Sequence, residues 1–238
     1  MRIFLAGAAG VIGRRLTPLL VLMGHEVTGT TRSAAKAGQI EASCGRPVVV
    51  DVFDAAALTR AELEARPEIV IHQLTDLPSD PTQVSGAAEA NARLRIEGTR
   101  NLMAAAKVAG ARRLIAQSIA FAYAPGPQPH HEGDPLNLEG PRRRSAEGVA
   151  ALEWAVLHTP PVEGVVLRYG RLYGPGTWTQ APGSPPALHV DAAAHAALLA
   201  LERGSGIYNI AEDDGAVAII RARAQLGFDP TVRLDAPE

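Results

Sequence analysis

The chain has 238 residues, enough for one large α/β domain with a full core, and its net charge of −2 excludes the charge excess that a nucleic-acid or membrane-surface partner calls for. A single cysteine, Cys44, rules out an internal disulfide and fits a reducing cytoplasm. No apolar run reaches the length of a membrane span, and Met1-Arg2 leads straight into the first apolar stretch without a signal segment, so the expectation is a cytoplasmic protein.

In chain order, an apolar strand over residues 3–6 enters a glycine turn that opens into a helix over 11–23, stopped by Gly24. Residues 27–31 read as a second strand, and Ser33 is expected to cap a helix to about residue 43. A short buried strand over 48–50 ends at Asp51, and Asp54 caps a helix over 55–65. Residues 69–72 form a fourth strand, apolar on both faces as in a parallel sheet. After a loop with Pro78 and Pro81, one long helix over 83–109 closes at Gly110. A fifth strand at 114–116, a loop over 120–141, a helix over 145–158 and a sixth strand at 165–167 follow. Residues 170–189 read as a loop rich in Pro and Gly. Asp191 caps an alanine-rich helix to about 202, residues 207–210 form a strand, and 216–226 a last helix. The repeated βα units predict a doubly wound parallel sheet, the Rossmann fold, with a dinucleotide core over 1–168 and a small substrate lobe over 169–238 interleaved with the last core elements.

The glycine turn carries the chemistry. Gly7, Gly10 and Gly13 are spaced G-x-x-G-x-x-G between a strand and a helix. Gly7 permits the tight turn, Gly10 lets backbone approach a pyrophosphate, and Gly13 lets the helix pack on the sheet. Free amides at the helix start, aided by its dipole, hold phosphates. Ala9, Val11 and Ile12 complete this part of the expected cofactor set.

The second strand ends Thr30-Thr31-Arg32-Ser33, with no carboxylate where an NAD-selective site places one. Arg32 is a fork-shaped cation suited to a phosphate on the adenosine ribose, so NADP(H) is the expected cofactor, with NAD the alternative. Asp51, with Val52 beside it, stands where a carboxylate meets the adenine amino group; it equally suits a loop aspartate bonding its own backbone. Leu74 and Thr75 follow the fourth strand, at the carboxyl edge where ligands of such sheets bind.

The glycine turn, Asp51-Val52, residues 70–74, Asn91 with Gly98-Thr99, the segment 167–175 that ends Tyr173-Gly174-Pro175, and His189-Val190-Asp191 occur in an order that resembles the NAD-dependent epimerase/dehydratase family, the extended branch of the short-chain dehydrogenases. The resemblance implies a nicotinamide cofactor, a contact from Tyr169 to its carboxamide end through the backbone, a small-molecule substrate, and a homodimer built from the helices over 83–109 and 145–158. It also implies a Tyr-x-x-x-Lys pair after the fifth strand, with the tyrosine as acid/base and the lysine lowering its pKa. Anchored on Glu153, those positions hold Ser145 and Val149, and the only lysines, Lys36 and Lys107, lie on other helices.

Tyr123, just past the fifth strand, is therefore the expected proton donor, with Ser118 as partner to the substrate oxygen; a packed loop tyrosine is the alternative. His130, His131 and Glu132 suit an acid/base pair, a metal site or solvated loop positions; the last is the expectation, and no metal is expected. Arg142-Arg143-Arg144 suits a guide for an anionic substrate or a solvated face. Arg171 replaces the asparagine that in relatives holds nucleotide-sugar phosphates, which points to a smaller substrate. Two functions remain: an NADP(H)-dependent oxidoreductase or epimerase/dehydratase-like enzyme with an atypical site, or a non-catalytic NADP(H)-binding sensor or scaffold.

Overall fold

The computed structural model describes residues 1–78 and 80–234, with Ser85 described by its backbone alone; Ser79 and 235–238, the last of which belong to the expected substrate lobe, lie outside the described residues. The chain runs β1 (Arg2–Ala6), α1 (Gly13–Leu22), β2 (Glu26–Thr31), α2 (Ala37–Ala42), β3 (Arg46–Val49), α3 (Ala55–Ala65), β4 (Ile69–His72), α4 (Ala88–Arg93), α5 (Thr99–Ala109), β5 (Arg113–Ile119), α6 (Arg143–Leu157), β6 (Glu163–Tyr169), β7 (Arg171–Tyr173), β8 (Ala187–His189), α7 (Val190–Leu199), β9 (Gly206–Ile210) and α8 (Ile220–Leu226).

Seven strands pair in parallel in the order β3-β2-β1-β4-β5-β6-β9. Alternate residues of β1 serve opposite layers: Ile3 and Leu5 face a core built with α1, α7 and α8, whereas Phe4 and Ala6 face a core built with α3, α5 and α6. The expected doubly wound sheet is present. Strand order reverses beside β1, so the crevice between β1 and β4 opens at the carboxyl ends of the strands. Among the described residues no helix is long and apolar enough to cross a membrane.

Several expectations are corrected. The third strand is an edge strand, and its Val49 is exposed rather than buried. Ser33 makes no side-chain cap, because the Thr31 hydroxyl accepts from its amide and the chain enters a short 3-10 turn. Asp54 does cap α3, accepting from the Ala57 amide at 2.9 Å. Asp191 lies inside the first turn of α7; the cap is His189, whose Nδ1 accepts from the Asp191 amide at 3.2 Å. This frees the Asp191 carboxylate to take Arg15 Nε at 2.6 Å, tying α7 to α1.

The long helix over 83–109 is broken. Pro81–Ala87 forms 3-10 turns, α4 follows, and a π turn over Leu94–Gly98 precedes α5. Crowding accompanies the break: a side chain at Gly98 would meet Val52 at 3.0 Å. Such single π turns recur at functional sites. The stretch 170–189 is also more ordered than expected, because β7 and β8 pair in parallel as a separate two-stranded sheet. β9, by contrast, extends the main sheet beside β6.

Candidate active site

The β1–α1 turn forms one wall of a cleft at the switch point. Gly7 has φ +91, and a side chain there would meet the Gln73 carbonyl at 2.8 Å. Gly10 donates to the Gly7 carbonyl at 2.9 Å, closing the turn. No side chain caps α1, and the Arg14 and Arg15 amides already bond the Gly10 and Ile12 carbonyls at 3.0 Å, so the turn offers a ligand anion the positive end of the helix dipole. Gly7, Ala9 and Gly10 line the cleft from this side; Thr31, Arg32 and Lys36 form its adenosine end, and Val52, Gln73, Leu74 and Thr75 its opposite wall. These residues fit a dinucleotide: a glycine-walled phosphate cradle joined to a partly apolar slot with two cations at its far end. Gly13 faces away, where a Cβ would strike the backbone oxygens of Gly7 and Ala8.

The remaining expected cofactor residues are not among those lining the cleft, though Val11 and Ile12 stand at the start of α1. Ile12 is buried in the core, with Val11 packed beside it. The Asp51 carboxylate accepts from the Phe53 amide at 2.9 Å, the self-bonding loop geometry, and does not line the cleft. Tyr169 is buried, and its hydroxyl accepts from Gln73 Nε2 at 3.3 Å; burial raises its pKa. Its side chain therefore braces Gln73 from behind.

His72 was passed over as a strand residue, yet it shapes the same wall. Its Nδ1 accepts from the Leu74 amide at 3.2 Å, which places the ring proton on Nε2, 3.0 Å from Thr99 Oγ1. Burial, helped by the nearby Arg95 charge, pushes its pKa down to about 4, so the ring stays neutral and holds Leu74 against the cleft.

Ser118 and Tyr123 belong to a buried network behind the strand ends. Ser118 Oγ donates to Glu153 Oε1 at 2.7 Å. Arg168 grips the same carboxylate in two bonds, Nε to Oε1 at 2.8 Å and Nη2 to Oε2 at 2.6 Å. Arg168 Nη1 donates to the Tyr123 oxygen at 2.8 Å, and the Tyr123 hydroxyl donates to Asn209 Oδ1 at 2.6 Å. Burial raises the Tyr123 pKa, and the Arg168 charge only partly offsets it. The expected donor and its partner thus have both hydroxyl protons held by Asn209 and Glu153, because β6 and β9 bring Arg168 and Asn209 beneath them. The acidic position at Glu153 and an arginine in apolar β6 were the sequence signals for this network.

In the histidine loop His131 is exposed, and His130 and Glu132 are half-buried and face the same network. His130 stacks on Tyr123 with ring centroids 4.9 Å apart and bonds Asp134, while Glu132 accepts from the Asn209 amide. Of the three arginines, Arg143 pairs with Glu147 and Arg144 with Glu89; Arg142 has no carboxylate partner among the described residues. Where the relay was sought, Val149 is fully buried and Ser145 Oγ accepts from Arg95 Nη1 at 3.1 Å. Arg95 sits on the π turn, and sequence reasoning missed it because a mid-helix arginine reads as solvated.

The sequence profile of the NAD dependent epimerase/dehydratase family matches residues 3–187. The chain belongs to this family. It is 40% identical over 245 residues to a Streptomyces protein named 3-diazoavenalumate denitrifying reductase, covering 92% of this chain and 78% of that one. It is 32% identical over 175 residues to dTDP-4-dehydrorhamnose reductase of Streptomyces griseus, covering 74% of this chain and 51% of that protein, so the chain spans about half its length. In fold it matches UDP-glucose 4-epimerase of Thermotoga maritima, TM-score 0.81 at 19% identity over 98% of this chain and 94% of that one. The Thermus thermophilus UDP-glucose 4-epimerase complexed with NAD gives 0.81 at 20% identity, covering 98% and 95%. This family member is an NAD(P)-dependent oxidoreductase- or epimerase-like enzyme acting on a small molecule, which sets aside the non-catalytic reading.

Proposed function

We propose that the protein is an NADP(H)-dependent reductase whose acceptor takes a hydride without a proton from the protein. One observation carries this reading: the relay positions hold Ser145 and Val149, and the nearby hydroxyls of Ser118 and Tyr123 have their protons bonded internally. Carbonyl reduction and epimerisation at a carbinol carbon both move a proton at the substrate oxygen, and neither the relay positions nor Ser118 and Tyr123 hold a free proton for that step. The bound dinucleotide supplies hydride.

A carbon bearing a diazonium group is an acceptor of the required kind, and the 40% identical relative is named for a diazo substrate. Hydride forms a C–H bond at that carbon, the C–N bond breaks, and its electron pair leaves with N2. No proton enters the balance. The chain's part is to hold the acceptor over the carboxyl ends of β5 and β6 and to exclude water.

The test is 4-carboxybenzenediazonium with NADPH deuterated at the transferring position. Expected are NADPH oxidation above the protein-free rate, N2 release, and benzoate deuterated at the carbon that bore nitrogen. No acceleration with the diazonium, combined with turnover of simple ketones, overturns the reading.

Preference for NADP(H) is supported by Arg32 and Lys36 at the adenosine end of the cleft, with no carboxylate ending β2. A homodimer through α4–α5 and α6 is supported by the outer face of α6, where Trp154 is 65% exposed and stacks on His158 at 5.1 Å. Sedimentation of a monomer at micromolar concentration removes the dimer.

A further inference from the structure

Arg95 is half-buried and has no carboxylate within ion-pair distance among the described residues. Its recorded side-chain hydrogen bond is the one from Nη1 to Ser145 Oγ. Glu153, the acidic group whose charge it feels, is already taken by Arg168 and Ser118. Burial brings the Arg95 pKa down to about 10, and the Glu153 charge offsets this only in part. A half-buried cation without a carboxylate partner is costly, and groups perturbed in this way cluster at functional sites.

The surroundings have the same sign. Arg171, just beyond β6, lies over the Phe121 ring at 4.1 Å, and its Nε is buried without an acceptor. Burial and the Arg142 charge both lower its pKa, and neither Arg171 nor Arg142 has a carboxylate partner among the described residues. His72, at the end of β4, is kept neutral and adds no charge. Three arginines thus lie around the carboxyl ends of β4, β5 and β6 without acidic partners, whereas Arg143 and Arg144 on the outer face are paired.

We propose that Arg95 binds an oxyanion of the substrate, a carboxylate or phenolate oxygen, beside Ser145 at the first of the relay positions. The π turn at Leu94–Gly98 is the local device that brings the arginine onto Ser145. The guanidinium presents a fork of donors, of which Ser145 takes one, and two parallel bonds to one oxyanion suit what remains. The inference rests on the cleft being a small-molecule site and requires no particular reaction there.

The experiment is equilibrium binding to the protein saturated with NADP+, so no turnover is needed. Cinnamate is compared with cinnamamide for the carboxylate arm, and 4-nitrophenolate with 4-nitroanisole for the phenolate arm. One anion is expected to bind at least about tenfold more tightly than its neutral counterpart, a difference that disappears in Arg95→Gln and survives in part in Arg95→Lys. NADP+ affinity is expected to be unchanged, and the melting temperature of Arg95→Gln to rise or hold, because a half-buried unpaired charge has been removed. No anion preference in either arm, a preference that persists in Arg95→Gln, or a loss confined to NADP+ binding overturns the assignment. Failure of the diazonium assay alone leaves these outcomes intact and bears only on the reaction.

Discussion

Arg32 Nη2 stands 2.7 Å from Asp76 Oδ1, so an ion pair bridges the segments after β2 and β4 across the adenosine end of the cleft. Asp76 is fixed for this by Asn91, whose Oδ1 accepts from the Asp76 amide at 2.9 Å and whose Nδ2 donates to the Asp76 carbonyl at 2.8 Å. On the proposed NADP(H) reading, a ribose phosphate entering the cleft would exchange one partner of Arg32 for another.

Cofactor choice follows from that exchange. Arg32→Glu is expected to reverse a preference for NADPH over NADH. Asp76→Asn is expected to tighten NADPH by up to about fivefold, since an exposed ion pair is worth at most about 1 kcal/mol, and to leave NADH unchanged. Fluorescence titration of both cofactors checks this; equal tightening of NADH removes Asp76 from the selection.

Two glycines of one turn should separate binding from folding. At Gly10 the nearest atom to an added Cβ is the Gly7 oxygen at 3.1 Å, on the side that faces the cleft. Gly10→Val is expected to keep the fold and weaken the cofactor at least about tenfold, about 1.4 kcal/mol. At Gly13 a Cβ meets the Ala8 oxygen at 2.6 Å, so even Gly13→Ala should lower the melting temperature of the cofactor-free protein. Equal melting temperatures for the two variants would contradict the division.

Glu62 of α3 is fully buried, and neither carboxyl oxygen has a partner. Burial raises its pKa from 4.5 to about 9. At pH values below 4.5 both folded and unfolded chains carry the proton. Between 4.5 and about 9 only the folded chain keeps it, so this residue's contribution to stability is lost as pH rises through that window. Glu62→Gln should remove a fall of about 1.4 kcal/mol per pH unit from the stability profile. Glu62→Leu should raise stability at pH 8. Urea unfolding from pH 5 to 8 reads both; parallel profiles for wild type and Glu62→Gln contradict the burial argument.

Tyr123→Phe leaves Arg168 Nη1 and Asn209 Oδ1 without their shared hydroxyl. The expected cost is about 1–3 kcal/mol of stability, with kcat changed less than about tenfold. A loss of about 10²-fold in kcat at an unchanged melting temperature would make Tyr123 the proton donor after all.

The sequence by itself determined the sheet, the glycine turn and the loss of the Tyr/Lys pair. These depend on apolar periodicity, on glycine's lack of a side chain, and on which residue types are present at all. The partners of polar side chains were decided only by the tertiary structure. Asp51 turned back onto Phe53, and Tyr123 gave its proton to Asn209, which lies 86 residues away in the chain. Arg95 reaches Ser145 from a π turn that interrupts the expected continuous helix. A hydrogen bond between distant residues depends on strand order and helix register, and neither is encoded in local spacing.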